Sequence, residues 1–132
     1  MFQYRDFTQD PNTFSAEDGV AFFDMLEKNG QHYIPIVDSA IYIPNPDNAT
    51  DSYSVYSDGH ERGVFLSHAD GSEYIGSVWP GYTVFPDWHT SEAVSWWSDS
   101  MRAHYNVSKF SGIWIDMVRI KFRTTDEQAT NI

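Results

Sequence analysis

Two acids stand out by what precedes them. Gly112-Ile113-Trp114-Ile115 runs into Asp116, and Tyr33-Ile34-Pro35-Ile36-Val37 runs into Asp38. Each apolar run is of buried-strand type, near-continuously hydrophobic as parallel strands are. Each carboxylate falls where its strand should end. In a parallel β/α architecture, the C-terminal ends of the strands present the catalytic side chains. A carboxylate in that position can attack as a nucleophile or move a proton as a general acid or base. Two of them about 5 Å apart can cleave a glycosidic bond, one attacking the sugar carbon and the other protonating the leaving oxygen. The competing reading of Asp116 is a structural acid that caps a following helix. Spacing alone does not bring Asp38 and Asp116 together.

The elements that must position these acids follow from the pattern. Ser15-Ala16-Glu17-Asp18 has the character of a capping box, Val20, Phe23, Met25 and Leu26 keep helical spacing, and Lys28-Asn29-Gly30 supplies a basic last turn and a stop. The spacing predicts a helix over 15–28, followed at once by the strand that ends on Asp38. Pro35 interrupts that strand and predicts an irregularity there. From Ser91, the positions Ala93, Trp96, Trp97, Met101, His104 and Tyr105 predict a second helix, followed by the strand at 112–116. Helix, turn, strand and terminal acid thus occur twice, which is the pattern of a β/α protein. Between them lies a long excursion, residues 39–75. Asp70-Gly71-Ser72, flanked by Val64-Phe65-Leu66 and Glu73-Tyr74-Ile75-Gly76, predicts a hairpin. The aromatic, proline-broken stretch 77–89 reads as a loop that lines a pocket wall or packs on a barrel rim. Residues 1–13 read as a loop leaving an earlier element.

Bulk properties narrow the chemistry. The chain has 132 residues, a formal net charge of -11 and 17% aromatic residues. It is core-forming material, and its charge repels phosphate backbones and anionic lipid, so neither nucleic acid nor membrane is an expected partner. No apolar run is long enough to cross a bilayer, and Met1 to Asp6 has no signal-peptide character. Without cysteine there is no disulfide, thiolate nucleophile or cysteine-type zinc site. The five histidines do not cluster at metal-ligand spacing, so no metal is expected, and dinucleotide, Walker A and nucleophile-elbow motifs are absent. Flat rings suit stacking on sugar C–H faces, although most of the aromatics belong to packing. Trp79 and Trp114 are the two placed near the acids. Asn48-Ala49-Thr50 and Asn106-Val107-Ser108 are N-glycosylation sequons, with Asn48 and Asn106 as acceptors if the chain enters a secretory pathway.

The block Gly112-Ile113-Trp114-Ile115-Asp116-Met117 resembles the nucleophile signature of glycoside hydrolase family 31, which includes secreted fungal α-glucosidases. Arg5-Asp6-Phe7-Thr8, Gly30 to Ile41, Gly63-Val64-Phe65-Leu66 and Gly76 to Trp88 are similar to successive blocks of that catalytic domain, in order. The resemblance covers about residues 1–117 and implies part of a (β/α)8 TIM barrel, two to three βα units with a long aromatic excursion. It implies retaining chemistry on terminal α-linked glucose in oligosaccharides, with no cofactor. Asp116 would be the nucleophile. Trp114 and Met117 would line the subsite for the terminal sugar, Trp79 would add an aromatic wall, and Ile36 and Asp38 would lie at or just behind the pocket. Asp38 would support rather than catalyse. The remainder of the catalytic domain, including the acid/base Asp of a later strand, would be the partner of this segment, and the parent enzyme would be extracellular.

The sequence departs from the family pattern after Met117. The pattern continues with a short polar residue and a Glu, where this chain has Val118 and Arg119. Residues 118–132 hold three of the eight basic residues and read as a non-homologous tail. A retained intron would explain it, because a splice donor can encode Val-Arg; a continuous exon across the Met117 codon would sink that reading. Residues 1–117 are therefore expected to be a barrel fragment with little activity of its own, since general-acid assistance is worth roughly 10²–10⁴-fold. The alternative is a non-catalytic truncated product with residual carbohydrate binding or no function. A few parallel strands without neighbours should also leave a marginally stable, association-prone chain.

Overall fold

The structure is a computed structural model that describes residues 1–116. The first predicted helix is α1, Ala16–Lys28, and the Ser15 side chain caps it by accepting the Asp18 N–H at 3.1 Å. The second is α3, Ser91–Val107, capped by the Thr90 hydroxyl accepting the Ala93 N–H at 3.2 Å. Each feeds a short strand: α1 leads to β1, Ile36–Asp38, and α3 leads to β5, Trp114–Asp116. The two strands are parallel neighbours, paired Ile36 with Trp114, Val37 with Ile115 and Asp38 with Asp116. The two helix-and-strand units therefore join side by side, as expected of part of a (β/α)8 barrel.

The region between them builds its own small body. A three-stranded antiparallel sheet is ordered β2, Ile41–Tyr42, then β4, Gly81–Val84, then β3, Gly76–Val78. Helix α2, Ser54–Glu61, packs on α3. Trp96, Ile41, Val64, Val84, Phe65 and Tyr53 form the core where helices and sheet meet, and Val37 of β1 extends it under the parallel pair. Arg62 sits between the helices, with Asp58 at 3.0 Å and Asp99 at 3.1 Å.

Three features differ from the sequence reading. Helix α2 was not expected, because Ser-Val-Tyr-Ser-Asp-Gly is poor helix-forming sequence and no side chain caps it. Tertiary packing sets it: an added methyl at Gly59 would lie 2.5 Å from the Phe65 ring. Second, residues 76–84 are not a loop but the β3–β4 hairpin, turning at Trp79-Pro80 with Gly81 at φ 106°. The hairpin expected around Asp70–Ser72 is reduced to one bridge, Ser67 to Glu73, because Phe65 bridges Pro86 and Leu66 donates to the Phe85 carbonyl at 2.8 Å. Third, the two parallel strands are not buried on both faces. Val37 is buried, but Ile36 and all of β5 are exposed, because each strand has only the other as neighbour among the described residues.

The N-terminal segment folds back under β1. Phe2 donates its N–H to Thr8 Oγ1 at 2.9 Å and Arg5 donates to the Phe2 carbonyl at 3.0 Å, closing a compact turn. The Arg5 guanidinium then pairs with the Asp51 carboxylate and stacks 4.6 Å from the Tyr42 ring centroid, fastening the excursion to this turn.

Candidate active site

Side chains alternate between the faces of a strand, and residues in register on neighbouring strands share a face. The register therefore puts Ile36, Asp38, Trp114 and Asp116 together on one face, with Val37 and Ile115 on the other. Four of the residues singled out in the sequence meet here. Neighbouring parallel strands lie about 4.8 Å apart, so the two carboxylates stand side by side at the C-terminal ends. Asp38 is buried and Asp116 is exposed. Burial, and next the Asp116 carboxylate beside it, push the Asp38 carboxyl above the ordinary range. Asp38 thus retains a proton more readily than a free carboxylate does.

Trp114 is 57% exposed and stands on this same face. Trp79 is carried by the other sheet, at the turn between β3 and β4, where it is 70% exposed. Met117 lies outside the described residues, as do Val118 and Arg119, where the family pattern has its polar residue and Glu. Asn48 sits on an exposed turn with its Oδ1 accepting both the N–H and the hydroxyl of Thr50, at 3.1 and 2.8 Å. Asn106 lies in the last turn of α3, and its sequon partner Ser108 is buried.

Sequence reasoning gave no role to Asp6. Its carboxylate lies behind the pair and accepts the Asp38 N–H at 3.0 Å. Burial drives its pKa up to about 7, partly offset by that hydrogen bond, with the Asp38 carboxylate raising it further and the N-terminal ammonium lowering it. Its only signal in the sequence was membership of the Arg5-Asp6-Phe7-Thr8 block. A cavity of about 500 Å³ opens beside β1, between Phe7, Phe22, Phe23, Pro35, Ile36 and His104. It is lined by neither Asp38 nor Asp116. Among the described residues, no group of three or more acids or histidines is placed to hold a metal. Among them too, no helix is long and apolar enough to cross a membrane.

Helices feeding parallel strands, with two carboxylates at adjacent strand ends, define part of a β/α barrel. Residues 1–131 match the sequence profile of the Glycosyl hydrolases family 31 TIM-barrel domain, and the chain belongs to that family. It is 48% identical over 120 residues to an α-glucosidase of Aspergillus niger, covering 91% of this chain and 12% of the relative. It is 50% identical over 118 residues to glucoamylase 1 of Candida albicans, covering 89% of this chain and 12% of the relative. The chain therefore spans about 12% of the length of the curated relatives it matches. A DNJ-bound crystal structure of glucosidase II α subunit superposes with a TM-score of 0.72 at 25% identity, over 87% of this chain and 12% of that one. The catalytic subunit in an ER glucosidase II heterodimeric complex gives 0.73 at 25% identity, with the same coverage.

Proposed function

We propose that this chain carries the nucleophile edge of a retaining α-glucosidase acting on terminal α-linked glucose in oligosaccharides, with Asp116 as the nucleophile. The observation that carries the reading is the in-register placement of Asp38 and Asp116 at the ends of adjacent parallel strands. In the first step a carboxylate oxygen of Asp116 bonds to the anomeric carbon as the glycosidic C–O bond breaks. The electron pair goes to the leaving oxygen, which takes a proton from an acid supplied by the remainder of the catalytic domain. Water then attacks the same carbon and gives a proton to the group that protonated the leaving oxygen, now its conjugate base; Asp116 leaves as carboxylate, and two inversions give retention. Trp114 and Ile36 share the face of Asp116 and form the apolar floor for the sugar ring; Met117, outside the described residues, is assigned to the same subsite by the family resemblance alone. Trp79 supplies an aromatic wall from the β3–β4 turn. Asp38 supports Asp116 and does not attack.

The parent enzyme works outside the cell in this reading, supported by the exposed sequon at Asn48. Residues 118–132 are read as a tail foreign to the barrel. The family match extends to residue 131, so that reading rests on Val118 and Arg119 and on the basic character of the segment. Sequencing the gene across the Met117 codon tests it, and an uninterrupted exon there removes it.

A glucosyl fluoride tests the nucleophile directly, because fluoride leaves without a proton and no general acid is needed. An α-glucosyl fluoride with a second ring fluorine should esterify Asp116, seen as a mass increment on the peptide containing it. Labelling elsewhere, or undiminished labelling in Asp116→Asn, overturns the assignment. A non-catalytic sugar-binding product is favoured by the exposure of Trp79 and Trp114. It predicts quenching of Trp fluorescence by maltose in a chain that takes no label.

A further inference from the structure

Asp6 is an acid in an unusual place. It is 2% exposed, has no cationic side chain bonded to its carboxylate among the described residues, and makes its one described side-chain hydrogen bond to a backbone group 32 residues away. That group is the N–H of Asp38. In a parallel ladder, successive residues direct their backbone groups to alternate edges of the strand. The Pro35 carbonyl accepts the Trp114 N–H at 2.9 Å, so residues 35 and 37 face β5 and the N–H of Asp38 faces the opposite edge. No strand lies at that edge among the described residues. A buried N–H without an acceptor is destabilising. The Asp6 carboxyl group supplies the acceptor that no strand among the described residues supplies.

Asp6 is itself fixed from both sides. The buried Tyr53 hydroxyl donates to the Asp6 carbonyl at 2.9 Å. The neighbouring Arg5 is tied to Asp51, and its guanidinium donates to the Ser52 carbonyl at 3.1 Å. The acceptor is therefore anchored to the excursion, and the tip of β1 is anchored to the acceptor.

We propose that Asp6 is a positioning residue: its buried carboxyl group holds the edge of β1 that faces away from β5, at Asp38, and so fixes the Asp38 carboxyl beside Asp116. The role in the reaction rests on Asp116 being the nucleophile. The geometric role does not, and the experiment separates the two. Asp6 acts through Asp38 and does not touch the sugar.

The test uses the full 132-residue chain with carboxyl groups followed by carbon NMR and amides by hydrogen exchange. Replacing Asp116 with Asn should lower the titration midpoint of Asp38, which measures the coupling between the two acids. In Asp6→Ala the Asp38 amide should exchange at least about tenfold faster, equivalent to roughly 1.4 kcal/mol, and the coupling should fall by half or more. Asp6→Asn keeps an acceptor oxygen and should restore both. Unchanged exchange at Asp38 and unchanged coupling in a folded Asp6→Ala chain overturn the proposal. If Asp6→Ala loses protection at Val84 and is therefore unfolded, Asp6→Asn decides: retained coupling supports the acceptor role, and lost coupling overturns it. Coupling that depends on Asp6 in a chain that does not label at Asp116 would remove the nucleophile assignment and leave the positioning geometry standing.

Discussion

Asp38 and Asp116 face each other in register across two parallel strands, one carboxyl buried and the other open to solvent. Burial and proximity act on Asp38 in the same direction, both favouring its protonated form. Substituting Asp116 by Asn removes only the second cause. The Asp38 midpoint should therefore fall but stay above that of an exposed aspartate. A carboxyl-resolved titration checks this, and a midpoint that does not move would mean that the side chains diverge despite the backbone register.

Two buried groups should set opposing pH dependences of stability below neutrality. Asp6 is raised from 3.8 to about 7 in the folded chain, chiefly by burial. Its contribution is fully present below the unfolded value and is lost as pH rises through about 7, because unfolding then releases a carboxylate that prefers water. The span is worth at most about 4 kcal/mol. His104 works in the opposite sense. Burial lowers its pKa from 6.5, so its contribution is present above that value and is lost as pH falls below it. Between about pH 4 and 7 the Asp6 contribution falls with pH while that of His104 rises, so Asp6→Asn should tilt the Tm profile upward with pH across that window and leave it unchanged in slope above about pH 8; parallel profiles in the two chains would show that Asp6 is not raised.

Two helical glycines should respond oppositely to alanine. At Gly59 an added Cβ would sit 2.5 Å from Phe65 Cζ and 3.1 Å from Trp96 Cε2, both in rigid core rings. Overpacking costs about 1–3 kcal/mol and helix propensity returns about 1, so Gly59→Ala should destabilise. At Gly19 the nearest neighbour is Phe23 Cε2 at 3.5 Å, an ordinary contact. Gly19→Ala should stabilise by about 0.5–1 kcal/mol. Urea unfolding of the two variants measures both signs.

The outer edge of β5 is open among the described residues, and Ile115 lies exposed beside it. Such an edge invites pairing with another chain. Ile115→Lys, on the face opposite Asp116, should raise the monomer fraction in light scattering. Equal scattering from both chains would show that association, if present, occurs elsewhere.

The acids were legible in the sequence because each closes an apolar run, and α1 and α3 were legible because their apolar residues keep helical period and Ser15 caps the first; the Thr90 cap of α3 went unread. Helix α2 was not, because its stability lies in the fit of Gly59 against Phe65 and Trp96, which no local pattern records. Strands β3 and β4 were hidden by Trp79-Pro80-Gly81, a turn signal that masked the short runs on either side. Asp6 was hidden for another reason. Its partner is a backbone N–H, which every residue but proline possesses, so only the folded chain reveals which one it serves.

The pairing of β1 with β5 also has a consequence in time. Residues 39–113 separate the two strands, so bringing Asp38 to Asp116 closes a long loop, at an entropic cost that grows with its length. Folding the excursion first shortens the effective distance, because the sheet β2-β4-β3 and the α2–α3 contact hold the two ends of that loop on one body. The amides of Ile41 and Val84 should then gain protection before that of Asp116 in pulse-labelled exchange during refolding. The edge that carries Asp38 and Asp116 would then be the last part of the described chain to assemble, and a mutation far from it, at the junction of α2 and α3, would delay it.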